Sequence, residues 1–174
     1  MQDLLCYERG AILNGQWWRL LTGSFVHLNS SHALMNIAAL LLLWGIYGTV
    51  IGDGAWLAVT LVCALVVGAG LLLLNPEISR YVGLSGILHG YLTAAAMAER
   101  RSHTRMSVVL LLLAGGKLLW EQTLGPLPGS AAAAGGNVIV DAHLYGAAAG
   151  LLCGWFLGRD GTGQTGQDGS APAS

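Results

Sequence analysis

Two short glycine-bearing peptides, Gly83-Leu84-Ser85-Gly86 and Ala142-His143-Leu144-Tyr145-Gly146, each open a long apolar segment. A hydroxyl and an imidazole held together form the minimal nucleophile–base pair of acyl-transfer chemistry. Ser85 sits between Gly83 and Gly86 at a predicted helix start, where free backbone N–H groups and the positive dipole end can stabilise an oxyanion. Alone, a G-x-S-G peptide reads more simply as a helix cap or a packing serine, and a lone His143 as a structural histidine on a carbonyl. Together they read as a reactive pair. His32 and Asn36 stand one helical turn apart and face one side, so both can donate to the same oxyanion. His89, one turn beyond Ser85, is expected to support the pair by orienting His143, stacking on it or filling the interface.

The remaining polar residues fit this chemistry less well. Asp141 is two residues from His143, on a different helix face, and makes a poor third member of a triad. Lys117 and Glu121, four apart, read as a local ion pair near a helix end. His27 is expected to be structural, holding the loop that contains Trp18 and Arg19, and His103 falls in a distant charged loop. No H-E-x-x-H or comparable ligand pair joins the histidines, so neither a metal nor an organic cofactor is expected. The three cysteines (Cys6, Cys63, Cys153) have no metal-ligand spacing and suggest no disulfide framework.

The elements that must position these groups are membrane helices. The chain is 54 % hydrophobic and only 10 % charged, with mean hydropathy +0.60, whereas a soluble domain carries about 25 % charged residues. The fold class is all-α and polytopic. Apolar runs predict about five spans, near 31–51, 55–74, 83–99, 106–121 and 138–158. Residues 1–30, with Trp17, Trp18 and Phe25 beside Arg9 and Arg19, suit a segment lying at the interface. Residues 31–158 form the transmembrane catalytic domain, with 122–137 as a long flexible connector. The Gly/Ser/Gln-rich residues 159–174 read as a disordered cytoplasmic tail. Net charge of −1 argues against a nucleic-acid partner.

Gly146, Gly150, Gly154 and Gly158 recur every four residues on the face that carries His143, and Gly83, Gly86 and Gly90 give span three a comparable small face. Packing these faces would bring His143 to Ser85. Arg100, Arg101, Arg105 and Arg159 mark one side as cytoplasmic, against Arg9, Arg19 and Arg80 on the other. Spans one, three and five then enter from the non-cytoplasmic face. His32, Asn36, Ser85 and His143 therefore converge at similar shallow depth, within reach of water.

This pattern resembles the rhomboid family of intramembrane serine proteases. The matching pieces run Trp18-Arg19, Phe25-x-His27-x4-His32-x3-Asn36, Gly83-Leu84-Ser85-Gly86 and Ala142-His143-x2-Gly146-x3-Gly150. Residues 83–90 and 140–146 look like the rhombosortase branch, with His89 where many rhomboids have an aromatic residue. The resemblance implies a Ser85–His143 dyad, oxyanion donors at His32 and Asn36, and supporting roles for Gly83, Gly86, His89, Gly146 and Gly150. It also implies a bacterial inner-membrane location, a site facing the periplasm, and membrane-anchored substrates bearing C-terminal sorting tails. The rhomboid core has six helices. This chain begins in what would be the segment after the first, so five are expected. A non-catalytic rhomboid-like protein that binds client transmembrane helices is the competing class; it predicts that Ser85→Ala leaves function intact.

Overall fold

The computed structural model describes residues 2–160, so the tail expected at 159–174 lies almost wholly outside the described residues. Five long helices dominate: α1 (Ser30–Ile51), α2 (Asp53–Leu74), α3 (Ser85–Ala98), α4 (Thr104–Leu124) and α5 (Val140–Asp160). Each coincides with a predicted span to within a few residues. Asn29 starts α1 by accepting the His32 backbone N–H at 2.8 Å, and Gly52 alone separates α1 from α2. Among the described residues, α1, α2, α4 and α5 are long and apolar enough to cross a bilayer. Their outward leucines, among them Leu41, Leu73, Leu112 and Leu152, are exposed, which is how a bundle solvated by hydrocarbon presents itself.

The third span, expected at 83–99, holds the shortest of the five long helices. Its α-helix has 14 residues and ends in a 3-10 turn at Glu99–Arg101. At 1.5 Å per residue it covers about 21 Å. It is also the hub of the bundle, packing on α1, α2, α4 and α5 and burying Gly86, Ile87, Leu88, Gly90, Tyr91 and the Thr93–Ala96 turn. Its glycines and alanines let the neighbouring helices approach closely on several sides.

The first thirty residues are more ordered than an interfacial skin requires. Short helices at Gln2–Leu5, Arg9–Leu13 and Arg19–Thr22 surround strand β1 (Tyr7–Glu8), which pairs antiparallel with β2 (Arg80–Tyr81), Tyr7 opposite Tyr81. Tyr7 and Ile12 are fully enclosed with Val67 and Leu71 of α2. Arg19 is buried, and its guanidinium donates to the carbonyls of Asp3 and Cys6, both at 2.8 Å, and to Gln16 Oε1 at 2.7 Å. That replaces the expected support from His27.

The connector expected at 122–137 is not uniformly flexible. Helix α4 continues to Leu124, and Ser130–Ala134 forms a further short helix, in keeping with the high helix propensity of its alanines. Asn29 Nδ2 donates to the Ala134 carbonyl at 3.1 Å and ties this helix to the start of α1.

Candidate active site

The contact between α3 and α5 sets the geometry. A Cβ on Gly146 would run into the Gly86 carbonyl, one on Gly150 into the Gly90 carbonyl, and one on Gly154 into that of Ala94. The four-residue glycine ridge is thus the line along which the two backbones touch. Thr93 Oγ1 donates to the Ala147 carbonyl at 2.9 Å across the same line. The first turns of α5 are fixed separately: Tyr145 Oη donates to Asn75 Oδ1 at 2.6 Å, and Asn75 Nδ2 to Asp141 at 3.2 Å. Asp141 therefore faces the end of α2 rather than His143.

On this frame His143 Nε2 lies 3.0 Å from Ser85 Oγ. The opposite ring nitrogen, Nδ1, lies 2.9 Å from Glu121 Oε2, and Glu121 is only 2 % exposed. The other carboxylate oxygen accepts from Lys117 Nζ at 2.7 Å. His89 stacks on His143 with ring centroids 4.2 Å apart and planes inclined by 18°. Its Nδ1–H donates to the Ser85 carbonyl at 2.7 Å, because a carbonyl can only accept. Ser85, His89, Glu121 and His143 thus form one continuous cluster.

Three of these residues, His89, Glu121 and His143, offer one ligand atom each within 4.8 Å of one another. The arrangement does not fit a shared ion. An imidazole lone pair lies in its ring plane, and two nearly parallel rings 4.2 Å apart cannot both meet one metal at about 2.0–2.1 Å.

His32 and Asn36 are both buried on the inner side of α1, while Leu34, Met35 and Ile37 face outward. His32 lies beside Gly83: a Cβ there would stand 3.3 Å from His32 Nε2 and 3.9 Å from Ser85 Oγ. Gly83 also has φ +133°, a conformation that side chains disfavour. Its carbonyl accepts from the buried Tyr81 Oη at 2.6 Å, and burial pushes that phenol's pKa up. His32 Nδ1 and Asn36 Nδ2 are buried without hydrogen-bond partners. Such groups are costly unless something else satisfies them. His27 meets His32 edge-on at 5.2 Å, and burial holds its imidazole below the usual histidine range. His103 pairs with Glu99 at 3.3 Å, away from this cluster.

A cleft of about 200 Å³ is lined by Leu28, Arg80, Tyr81, Val82, Asn137 and Ile139. Its walls include the segments that lead into Ser85 and into His143.

Glu121 completes the cluster, although its four-residue spacing from Lys117 by itself suggests only a local ion pair. The ion pair exists, but half of the carboxylate is turned to His143. The parity of the spans carried the missing signal. If spans one, three and five start on one face, span four ends there, which puts Glu121 level with His143.

A family profile for the Rhomboid domain matches residues 14–160. The chain is also 27 % identical over 153 residues to the Bacillus subtilis (strain 168) protein named "Putative rhomboid protease YdcA", an alignment covering 84 % of this chain and 67 % of that one.

Proposed function

Since this chain belongs to the rhomboid family, we propose that it is an intramembrane serine endopeptidase working through Ser85 and His143. The observation that carries the reading is the 3.0 Å approach of His143 Nε2 to Ser85 Oγ at the buried junction of α3 and α5. Neutral His143 takes the Oγ proton as the oxygen attacks a peptide carbonyl. The C–N bond then breaks, and the same proton goes to the leaving amine. Water hydrolyses the resulting acyl-enzyme. His32 and Asn36, with backbone N–H groups at the start of α3, stabilise the oxyanion. The unsatisfied Asn36 Nδ2 and the closeness of His32 to Gly83 support that assignment. Gly86, Gly146 and Gly150 set the approach of the two helices, Gly83 leaves room beside His32 and the Ser85 hydroxyl, and His89 braces the His143 ring.

The orientation reading gains from the arginines that oppose it. Arg9 donates to the Leu72 carbonyl, Arg19 to the three acceptors already named, and Arg80 pairs with Asp3 at 2.8 Å. Arg100 is likewise held, by the Met97 carbonyl at 2.8 Å and over the Trp155 ring, so Arg101 and Arg105 carry the topological vote, with the site on the periplasmic side of a bacterial inner membrane. Residues 1–30 and 31–158 then act as a rim and a catalytic bundle. The substrates are membrane-anchored proteins, and the resemblance of residues 83–90 and 140–146 to rhombosortases narrows them to C-terminal sorting tails.

The test is covalent labelling of the bilayer-embedded chain with a fluorophosphonate probe. Labelling of wild type that disappears in both Ser85→Ala and His143→Ala is the expected result. Folded wild type that takes up no probe would overturn the hydrolase and favour the helix-binding class. Co-expression with a reporter ending in a Gly-rich motif, a membrane helix and basic residues tests the substrate: release dependent on Ser85 supports it, and an uncut reporter alongside normal labelling removes it.

A further inference from the structure

We infer that Glu121, held by Lys117, is a positioning residue that turns the Ser85–His143 pair into a triad inside the bilayer. The inference rests on the serine-hydrolase reading above. Two features of α4 argue that Glu121 is not there for the helix's own sake. It lies in the last turn, where the negative end of the macrodipole disfavours a carboxylate. Its partner Lys117 is N-terminal to it, the weaker order for a pair four residues apart. A buried carboxylate in a membrane helix is costly as well. What offsets these costs is the pair of contacts at its two oxygens, Lys117 Nζ at 2.7 Å and His143 Nδ1 at 2.9 Å.

A carboxylate only accepts, so Nδ1 carries the proton and Nε2 presents its lone pair to the Ser85 hydroxyl. The other tautomer would leave Ser85 without a base. When the Oγ proton reaches Nε2, the imidazolium forms against Glu121, which stays ionised and takes no proton itself. Lys117 shares the cost of burial: together the two side chains are neutral, with the negative end towards His143 and the partly exposed ammonium away from it. The groups facing His143 are His89 from α3 and the Glu121–Lys117 pair from α4, while α2 brings only the Cys63 thiol, on the Gly146 carbonyl.

The experiment measures the second-order rate of fluorophosphonate labelling against pH for the full chain in vesicles. Wild type is compared with Glu121→Gln, Glu121→Asp and Lys117→Met, with thermal unfolding to confirm folded protein. Absence of labelling in wild type would sink the hydrolase reading itself, before the variants are compared. Given wild-type labelling, Glu121→Gln should fall by about 100-fold to 10⁴-fold, with Glu121→Asp between it and wild type. The acid limb of the profile should move to lower pH in Glu121→Gln, which loses an anion beside the imidazolium, and to higher pH in Lys117→Met, which loses a cation. A merely structural glutamate would change the folded fraction and leave both limbs in place. Glu121→Gln labelling within about threefold of wild type would overturn the inference. If Glu121→Gln does not fold, Lys117→Met decides: an acid limb unmoved in that variant overturns the inference, and a limb moved upward supports it.

Discussion

Gly146 stands so close to Gly86 that a methyl group on the first would occupy the carbonyl oxygen of the second. The 3.0 Å separation of His143 from Ser85 depends on that approach, since each of these side chains lies within one turn of the glycine on its own helix. Gly146→Val should destabilise the bundle by about 1–3 kcal/mol through overpacking. Because displacement of a reacting group by about 1 Å can cost ~100-fold, its labelling rate should fall by at least that factor in protein that still folds. Thermal unfolding in detergent and probe labelling of the folded fraction measure the two effects separately.

The oxyanion assignment predicts a different pattern. His32→Ala and Asn36→Ala should each lower turnover by about 100- to 1000-fold. Neither touches the Ser85–His143 hydrogen bond, so the pH dependence of what activity remains should keep its shape. Steady-state cleavage of a membrane-anchored reporter at several pH values checks this, and an Asn36→Ala variant with wild-type turnover would remove Asn36 from the mechanism.

His89 makes two contacts that substitution can separate: a stack on His143 and a hydrogen bond to the Ser85 carbonyl. Aromatic pairs contribute about 0.5–1.5 kcal/mol beyond burial, so His89→Phe, which keeps a ring there, should retain activity to within roughly tenfold. His89→Ala should lose more. Equal losses in the two variants would show that the hydrogen bond, not the ring, matters.

Acid should loosen the fold through His27. Its imidazole is depressed by burial, so the folded chain binds fewer protons there than the unfolded chain does. The linkage therefore removes stability as pH falls below the ordinary histidine value of about 6.5, and contributes nothing above it. Unfolding midpoints measured between pH 8 and pH 5 should decline more steeply for wild type than for His27→Phe, whose ring cannot titrate.

The five long helices were legible because hydrocarbon solvent imposes long apolar runs, and Gly52, Asn75-Pro76 and the Arg100–Arg105 loop punctuate them. The glycine ridge on α5 was legible for a related reason, since few side chains besides glycine leave so regular a gap. Three features were harder to see. The start of α3 at Ser85 rather than at residue 83 follows a backbone turn at Gly83, which no hydropathy window registers. The ordered rim around Tyr7, Arg19 and Tyr81 arises from pairing between segments far apart in sequence. Glu121 was hidden by a nearby lysine that explains it locally and incompletely.

Helix α3 covers about 21 Å, against a hydrocarbon layer of roughly 30 Å, and its neighbours α2 and α4 are of full length. Ser85 opens this shorter helix, so its depth is fixed by where α3 begins beside its longer neighbours. For a hydrolase built this way, a ruler is present in the architecture. The depth at which a substrate's backbone would meet Ser85 is set by where α3 begins, so the bond that is cut would be selected by its height in the bilayer as well as by its side chains.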